Sequence, residues 1–158
     1  METGDKHEGF CQFVSFTLGG EEYGIPILRV QEIIRYETLT CVPQFSDFVE
    51  GVLNLRGQVI PVVDLRRRFG MPESEHDRST RIVVVEIDRQ IIGLVVDSVT
   101  KVRTINENQI DPPPAMGASV GREFIVGMAK LENHLVILLN MDRILTDEEK
   151  EMAIQSAV

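Results

Sequence analysis

The run Phe48-Val-Glu-Gly-Val-Leu-Asn-Leu-Arg-Gly-Gln-Val-Ile-Pro-Val-Val-Asp-Leu-Arg-Arg-Arg-Phe69 decides the fold, because the chain repeats it. Laid over Phe124-Ile-Val-Gly-Met-Ala-Lys-Leu-Glu-Asn-His-Leu-Val-Ile-Leu-Leu-Asn-Met-Asp-Arg-Ile-Leu145, it shares the Phe, the Gly, the Leu four places further on and one Arg, and nearly every apolar position is matched. In each copy two apolar runs flank a short polar turn, Arg56-Gly57-Gln58 or Glu132-Asn133-His134, the pattern of a β-hairpin. A second pairing sets Gly24-Ile25 with Ile27, Val30 and Ile33 against Gly93-Leu94 with Val96, Val99 and Val102. Each half therefore reads as strand, strand, proline-bearing loop, hairpin and short helical turn. Two small β-barrels of like topology are expected, each too small for a good core alone and so sharing an apolar seam.

Working outward, Val14, Phe16 and Leu18 alternate with Ser15 and Thr17 before Gly19-Gly20, which predicts a half-buried strand entering a hairpin. Tyr23–Val30 contains Gly24 and Pro26 and suits an edge or bulged strand. Arg81–Ile87 and Gln90–Val96 flank Asp88-Arg89 as a further hairpin. Helices are few. Asp64 is a candidate N-cap for a turn or two ending at Gly70, and Thr146-Asp-Glu-Glu149 is a capping box that starts a helix over 147–155.

The 158 residues suit one domain or two very small ones wrapped together. Sixteen Lys+Arg against 25 Asp+Glu leave a net charge of −9, which argues against nucleic acid or an anionic membrane surface as partner. Arg66-Arg67-Arg68 is the one basic cluster, and on a helical turn it reads as a solvated face. No apolar run approaches the ~18–20 residues of a membrane span, and the start METGDKHEG is polar, so neither membrane insertion nor a secretory signal is expected. Cys11 and Cys41 form no C-x-x-C pattern and read as reduced thiols, which makes the cytoplasm the default compartment.

Catalytic signatures are missing. Gly19-Gly20…Gly24 opens no helix and cradles no phosphate, and no G-x-S-x-G occurs. His7, His76 and His134 fall in a tail, a loop and a turn without metal-ligand spacing, and read as solvated. Asp64 and Asp97 can meet in space as paired carboxylates, but both follow apolar strands and read better as caps or turn formers. The halves differ where function sits if it lies on the repeat. Glu32 is matched by Lys101, and the tip Asn54-Leu-Arg-Gly57 by Lys130-Leu-Glu-Asn133, so both signs invert. Drift of a solvated surface gives the same pattern.

Three segments are specific enough to carry a resemblance: Gly24-Ile-Pro-Ile-Leu-Arg-Val-Gln-Glu-Ile33, Gly51-Val-Leu-Asn-Leu-Arg-Gly-Gln-Val-Ile-Pro-Val-Val-Asp-Leu65 and Gly93-Leu-Val-Val-Asp97. Together they resemble the CheW family of bacterial chemotaxis coupling proteins, from about Phe13 to the C-terminal helix. The same domain occurs in the kinase CheA and in CheV; this chain has no room for a kinase or receiver domain, so a free-standing adaptor is expected. The resemblance implies an all-β fold of two five-stranded SH3-like barrels, with short helical turns and a C-terminal helix. The expected organisation is a flexible tail over 1–9 and one CheW-like domain over 10–158. Its intertwined barrels should cover about 23–80 and 92–146, followed by the helix over 147–155.

The resemblance also implies partners and sites. The family's adaptor binds the cytoplasmic tip of a chemoreceptor and the regulatory domain of the histidine kinase CheA, and other CheW-like domains join it in array rings. It would be cytoplasmic and recruited to membrane-associated receptor arrays. No catalysis, cofactor, metal or nucleic acid is expected. Ile27, Val30 and Val99 match positions associated with receptor contact, with Val102 extending the row into a groove between the barrels that takes an amphipathic helix. Barrel core is their other reading. Glu32, Gly51 and Arg56 match positions linked to receptor or kinase coupling, Gly57 is counted with them in the receptor-binding set although the turn's positive φ alone calls for a glycine, and Met116 matches a kinase or ring contact where the family often has an aromatic. Two other functions remain open: an adaptor in a non-chemotaxis sensory pathway, and a small-ligand-binding barrel or an enzyme using Asp64 and Asp97.

Overall fold

The computed structural model describes residues 9–37, 39–40, 49–113 and 122–145. Met116, the Thr146 capping box, the 147–155 helix and nearly all of the 1–9 tail lie outside them. The described chain runs β1 (Phe10–Leu18), β2 (Glu21–Pro26), a 3-10 turn (Ile27–Arg29), β3 (Val30–Arg35), β4 (Val49–Leu55), β5 (Gln58–Asp64) and α1 (Leu65–Arg68). It continues with β6 (Arg81–Ile87), β7 (Gln90–Val96), β8 (Ser98–Asn106), a 3-10 turn (Glu107–Gln109) and β9 (Ile110–Asp111). Last come β10 (Ile125–Lys130) and β11 (Leu135–Leu139), each with its own 3-10 turn, Arg122–Phe124 before β10 and Met141–Arg143 after β11.

Hairpin turns follow from local chemistry. Gly19 and Gly20, Arg56 and Gly57, and Asp88 and Arg89 all have positive φ, and each pair joins two directly opposed strand residues. That is the primed two-residue turn whose twist matches the strands it connects. The Asn54 side chain accepts the Gly57 N–H at 3.0 Å and so supports the left-handed Arg56.

The strands form two mixed sheets, β8-β1-β2-β11-β10-β9 and β3-β6-β7-β5-β4. The sequence repeat is visible in both. β4 and β10 each carry a register shift ending at their shared glycine, Gly51 or Gly127. The parallel pair Val62 with Gly93 has its counterpart in Leu138 with Gly24. These glycines let parallel strands close up: a Cβ on Gly93 would sit 2.8 Å from Ile82 Cγ2, and one on Gly24 3.1 Å from Leu138 Cδ2.

Sheet membership differs from the expected ranges of 23–80 and 92–146. The β6–β7 hairpin, drawn from the second half's repeat, completes the sheet built by β3, β4 and β5, and β1–β2 completes the sheet built by β8, β10 and β11. Each half lends its opening hairpin to the other. Tyr23–Val30 is likewise not one edge strand, because β2 ends at Pro26 and lies between β1 and β11. Pro26, with φ −54, stands where the strand gives way to the 3-10 turn, so its missing N–H costs the sheet little.

This exchange explains the core. Val83, Val85 and Ile87 of β6 face a large shared cluster with Phe16, Leu18, Tyr23, Ile25, Ile137 and Leu139 of the other sheet, while Ile82 and Val84 face a private cluster with Leu53, Ile60 and Val62. The second sheet has its own private cluster around Phe13, Ile105, Val136 and Leu138. Alternating residues thus serve two apolar layers, each fully buried Val, Leu or Ile contributing roughly 1.5–3 kcal/mol. The shared seam joins the halves.

Candidate functional site

Two of the edge strands, β3 and β8, carry Val30, Val99 and Val102. In β3 the register jumps from Val30 opposite Val85 to Glu32 opposite Val84, so Gln31 is an extra residue. Directly opposed residues share a face, which turns Val30 and Ile33 toward the seam and Glu32 to the other side. β8 repeats the device, with Val99 opposite Phe16, Lys101 opposite Ser15 and Val102 opposite Val14, leaving Thr100 over. Val99 and Val102 then share the seam face as Val30 and Ile33 do. Val30 and Val99 pack against the shared cluster, whereas Ile33 and Val102 remain 39% and 48% exposed. Ile27 is half-buried in the turn leading into β3. The apolar seam therefore reaches the surface along these edges. Ile33 was not among the expected site residues; its match to Val102 in the repeat is the signal that finds it.

Beside this row Glu32 and Arg56 meet. The guanidinium gives one hydrogen bond to Glu32 Oε1 at 3.3 Å and a second, closer one to Oε2, a two-point fork. Arg56 holds the Glu32 carboxyl below the usual carboxylate range. Glu32 lies on β3 and Arg56 beyond β4, the opposite edges of the five-stranded sheet, so the pair bridges those edges. A second bridge lies further along, where Tyr36 OH donates to Glu50, His76 Nε2 sits 2.9 Å from the same carboxylate, and the Tyr36 and His76 rings are 4.0 Å apart. Gly51 is buried against the backbone, where a Cβ would sit 2.5 Å from Thr40 O, while Gly57 is exposed with φ +85.

Several polar groups expected in solvent are engaged. Arg66 makes a fork to Asp97, with 2.9 and 2.6 Å bonds, Arg68 Nε donates to Ile144 O at 2.7 Å with its guanidinium over the Phe124 ring, and Arg67 Nε lies 3.5 Å from Asp64. The three arginines are not a solvated face, because each is half-buried and held by a partner brought close by the fold. His134 is 3.0 Å from Glu22, which also takes Arg103 and the buried Ser15 hydroxyl. Burial pushes the Glu22 carboxyl up, but these donors outweigh it and hold it low.

Asp64 and Asp97 do approach one another, with Arg66 between them. Asp64 caps α1 by accepting the Arg66 N–H at 3.0 Å, and Asp97 takes the guanidinium. Burial, with Glu50 nearby, pushes the Asp64 carboxyl up, whereas Arg66 holds Asp97 low. The hollow they line has a volume of about 10 Å³, room for one water. Among the described residues no cluster of three His, Cys, Asp or Glu could hold a metal ion, and no helix is long and apolar enough to cross a membrane. Cys11 is a half-buried free thiol.

Residues 12–149 match the family model of the CheW-like domain. The chain belongs to the CheW-like family. It is 38% identical over 138 residues to the chemotaxis protein CheW of Klebsiella aerogenes, covering 87% of this chain and 83% of that one. It is 37% identical to the chemotaxis protein CheW of Helicobacter pylori, covering 89% and 85%. The crystal structure of the scaffolding protein TtCheW from Thermoanaerobacter tengcongensis superposes with a TM-score of 0.82 at 37% identity, covering 90% of this chain and 92% of that one. The apolar edge row and the Glu32–Arg56 fork thus lie within a CheW-like domain spanning most of the chain.

Proposed function

We propose that this protein is a non-catalytic chemotaxis adaptor that couples transmembrane chemoreceptors to the histidine kinase CheA. In this reading each sheet is rolled into an SH3-like barrel, supported in the five-stranded sheet by the Glu32–Arg56 and Tyr36–Glu50 bridges between its edges. The receptor's cytoplasmic tip lays the apolar face of a helix along Ile27, Val30, Ile33, Val99 and Val102 in the groove between the barrels. The observation that carries the reading is the pair of matched bulges, which keep an apolar row at the surface beside the exposed Arg56 fork. The fork can share its donors with a receptor carboxylate, a geometry Lys does not reproduce.

Gly51 and Gly57 serve by shaping the backbone that presents Arg56. The regulatory domain of CheA docks at a barrel end, a like-with-like contact, with Met116 joining a kinase or ring contact. The protein works in the cytoplasm and is recruited to receptor arrays. The names of the relatives, two chemotaxis proteins and a scaffolding protein, support this role.

Arg56→Glu tests it. Titration with a receptor-tip helical hairpin and a receptor-coupled CheA phosphorylation assay should show lost binding or lost kinase control in a variant that still unfolds cooperatively well above the assay temperature. Full binding and control in that variant would remove Arg56 from the site, and a wild-type protein that binds neither receptor tip nor CheA would end the adaptor reading.

A further inference from the structure

Because the halves exchange hairpins, the described chain crosses between sheets twice: through Ile27-Leu28-Arg29 after β2, and through Asp97 after β7. The repeat makes these crossings equivalent, and it also matches Arg66 of α1 with Asp142 of the last 3-10 turn. Each crossing is tied by an ion pair to that matched residue, with the charges reversed. At the second crossing Arg66 donates to both Asp97 oxygens and also to Pro72 O at 2.9 Å. Asp97 in turn accepts the Gly19 N–H at 2.9 Å and donates its own N–H to Thr17 O at 3.0 Å, and the Thr17 and Ser98 hydroxyls lie 2.7 Å apart. This tie is mostly buried, with the two side chains 17% and 31% exposed. At the first crossing Arg29 Nη2 meets Asp142 Oδ1 at 3.2 Å, a one-point contact between side chains 37% and 65% exposed, and Leu28 stands 95% exposed.

A forked, sheltered ion pair holds its geometry far better than a single contact in water. Asp97 immediately precedes β8, so whatever fixes Asp97 fixes where Val99 and Val102 stand relative to Val30 and Ile33. We infer that Arg66 and Asp97 are positioning residues: their tie, not the Arg29–Asp142 contact, sets the spacing of the two apolar edges and hence the fraction of molecules ready to receive a helix. The docking part of this inference rests on the adaptor reading, whereas the spacing part does not.

The spacing is measured by spin labels at Arg35→Cys on β3 and Thr100→Cys on β8, in full-length protein carrying Cys11→Ser and Cys41→Ser. Asp97→Asn and Arg66→Lys should each broaden or shift the β3–β8 distance distribution, while Asp142→Asn leaves it as in the parent. Well below each variant's Tm, the first two should bind the receptor tip about fivefold or more weakly through a slower association, as expected when fewer molecules are competent. Unchanged distances in Asp97→Asn and Arg66→Lys overturn the inference, and so does full receptor affinity despite altered distances. If the parent does not bind the receptor tip at all, the adaptor reading fails, and the distances still decide whether the tie sets the spacing.

Discussion

Asp64 and Asn140 occupy the same place in the two sheets and do the same work with different charge. Each follows or ends the second strand of its hairpin and accepts, through its side-chain oxygen, the N–H two residues on, Arg66 at 3.0 Å and Asp142 at 3.1 Å. The cap therefore needs an oxygen and not a carboxylate.

Asp64→Asn should consequently be as stable as the parent at neutral pH, or more so. The Asp64 carboxyl is pushed up by burial and by Glu50, so its folded pKa lies above its unfolded one. Its protonated form is favoured by folding, and that contribution is fully present below the unfolded pKa and lost as pH rises through the folded pKa. The advantage of Asn should thus be largest at neutral pH and shrink as pH falls. Asp64→Ala, which removes the cap, should lose about 1 kcal/mol. Thermal melts of the three proteins from pH 4 to 8 check the order, and an Asn variant melting below the parent at pH 7 would contradict it.

Gly51→Ala and Gly127→Ala should both be strongly destabilising, because the added Cβ meets neighbouring backbone. It would lie 2.5 Å from Thr40 O in the first case and 2.8 Å from Asp111 O in the second, and a backbone oxygen cannot swing aside. A loss of about 1–3 kcal/mol each is expected from overpacking. Denaturant unfolding measures it. Gly51→Ala with a normal midpoint and impaired receptor binding would instead assign Gly51 directly to the partner surface.

Much of this was legible beforehand. Repeated Phe–Gly–Leu spacing announces two like units, and the turns at Gly19-Gly20, Arg56-Gly57 and Asp88-Arg89 announce their hairpins. The exchange of hairpins was not legible, because alternation says which face a residue takes but not which sheet its strand joins. Gly24 and Gly93 were the available clue: matched glycines inside strands mark close approach, and both abut a parallel strand. The engaged arginines and histidines were hidden for a related reason. Arg66 and Asp97, or His134 and Glu22, are far apart in sequence and meet only through tertiary pairing. Glu32 and Arg56 stood out through their inverted counterparts, yet their contact needs the opposite edges of one sheet to approach.

Tyr36 should resist ionisation as long as the fold persists. Burial, reinforced by the hydrogen bond to Glu50, pushes its phenol far above the ordinary tyrosine range. Folding therefore favours the protonated phenol, a contribution fully present below the unfolded pKa of ~10 and lost as pH rises through the folded value. Alkaline titration followed at 295 nm should show Tyr36 ionising together with the loss of structure, not before it. Tyr36→Phe should lower stability by about 1.5–3 kcal/mol, the range for a hydrogen bond to a charged group. A phenolate signal from Tyr36 in a protein with native circular dichroism would disprove the placement.

Exchanging the charges of the edge pair separates holding the sheet from meeting a partner. Glu32→Lys with Arg56→Glu copies the signs that Lys101 and Glu132 carry in the other half, so the two side chains can still attract one another. Arg56→Glu alone sets two carboxylates against one another across the edges the pair bridges. If Arg56 only pairs with Glu32, the double variant should recover whatever the single one lost. If Arg56 also offers its fork to a receptor carboxylate, the double variant should match the parent in melting yet remain deficient in binding, since a Lys at position 32 provides neither the place nor the geometry of a guanidinium at position 56. The second outcome is expected, and the Glu32 carboxyl, held low by Arg56, keeps the parent's pair intact until the pH falls through that depressed value. Parallel titrations of parent, single and double variants with the receptor-tip hairpin at neutral pH make the comparison, and recovered affinity in the double variant would reduce Arg56 to a partner of Glu32.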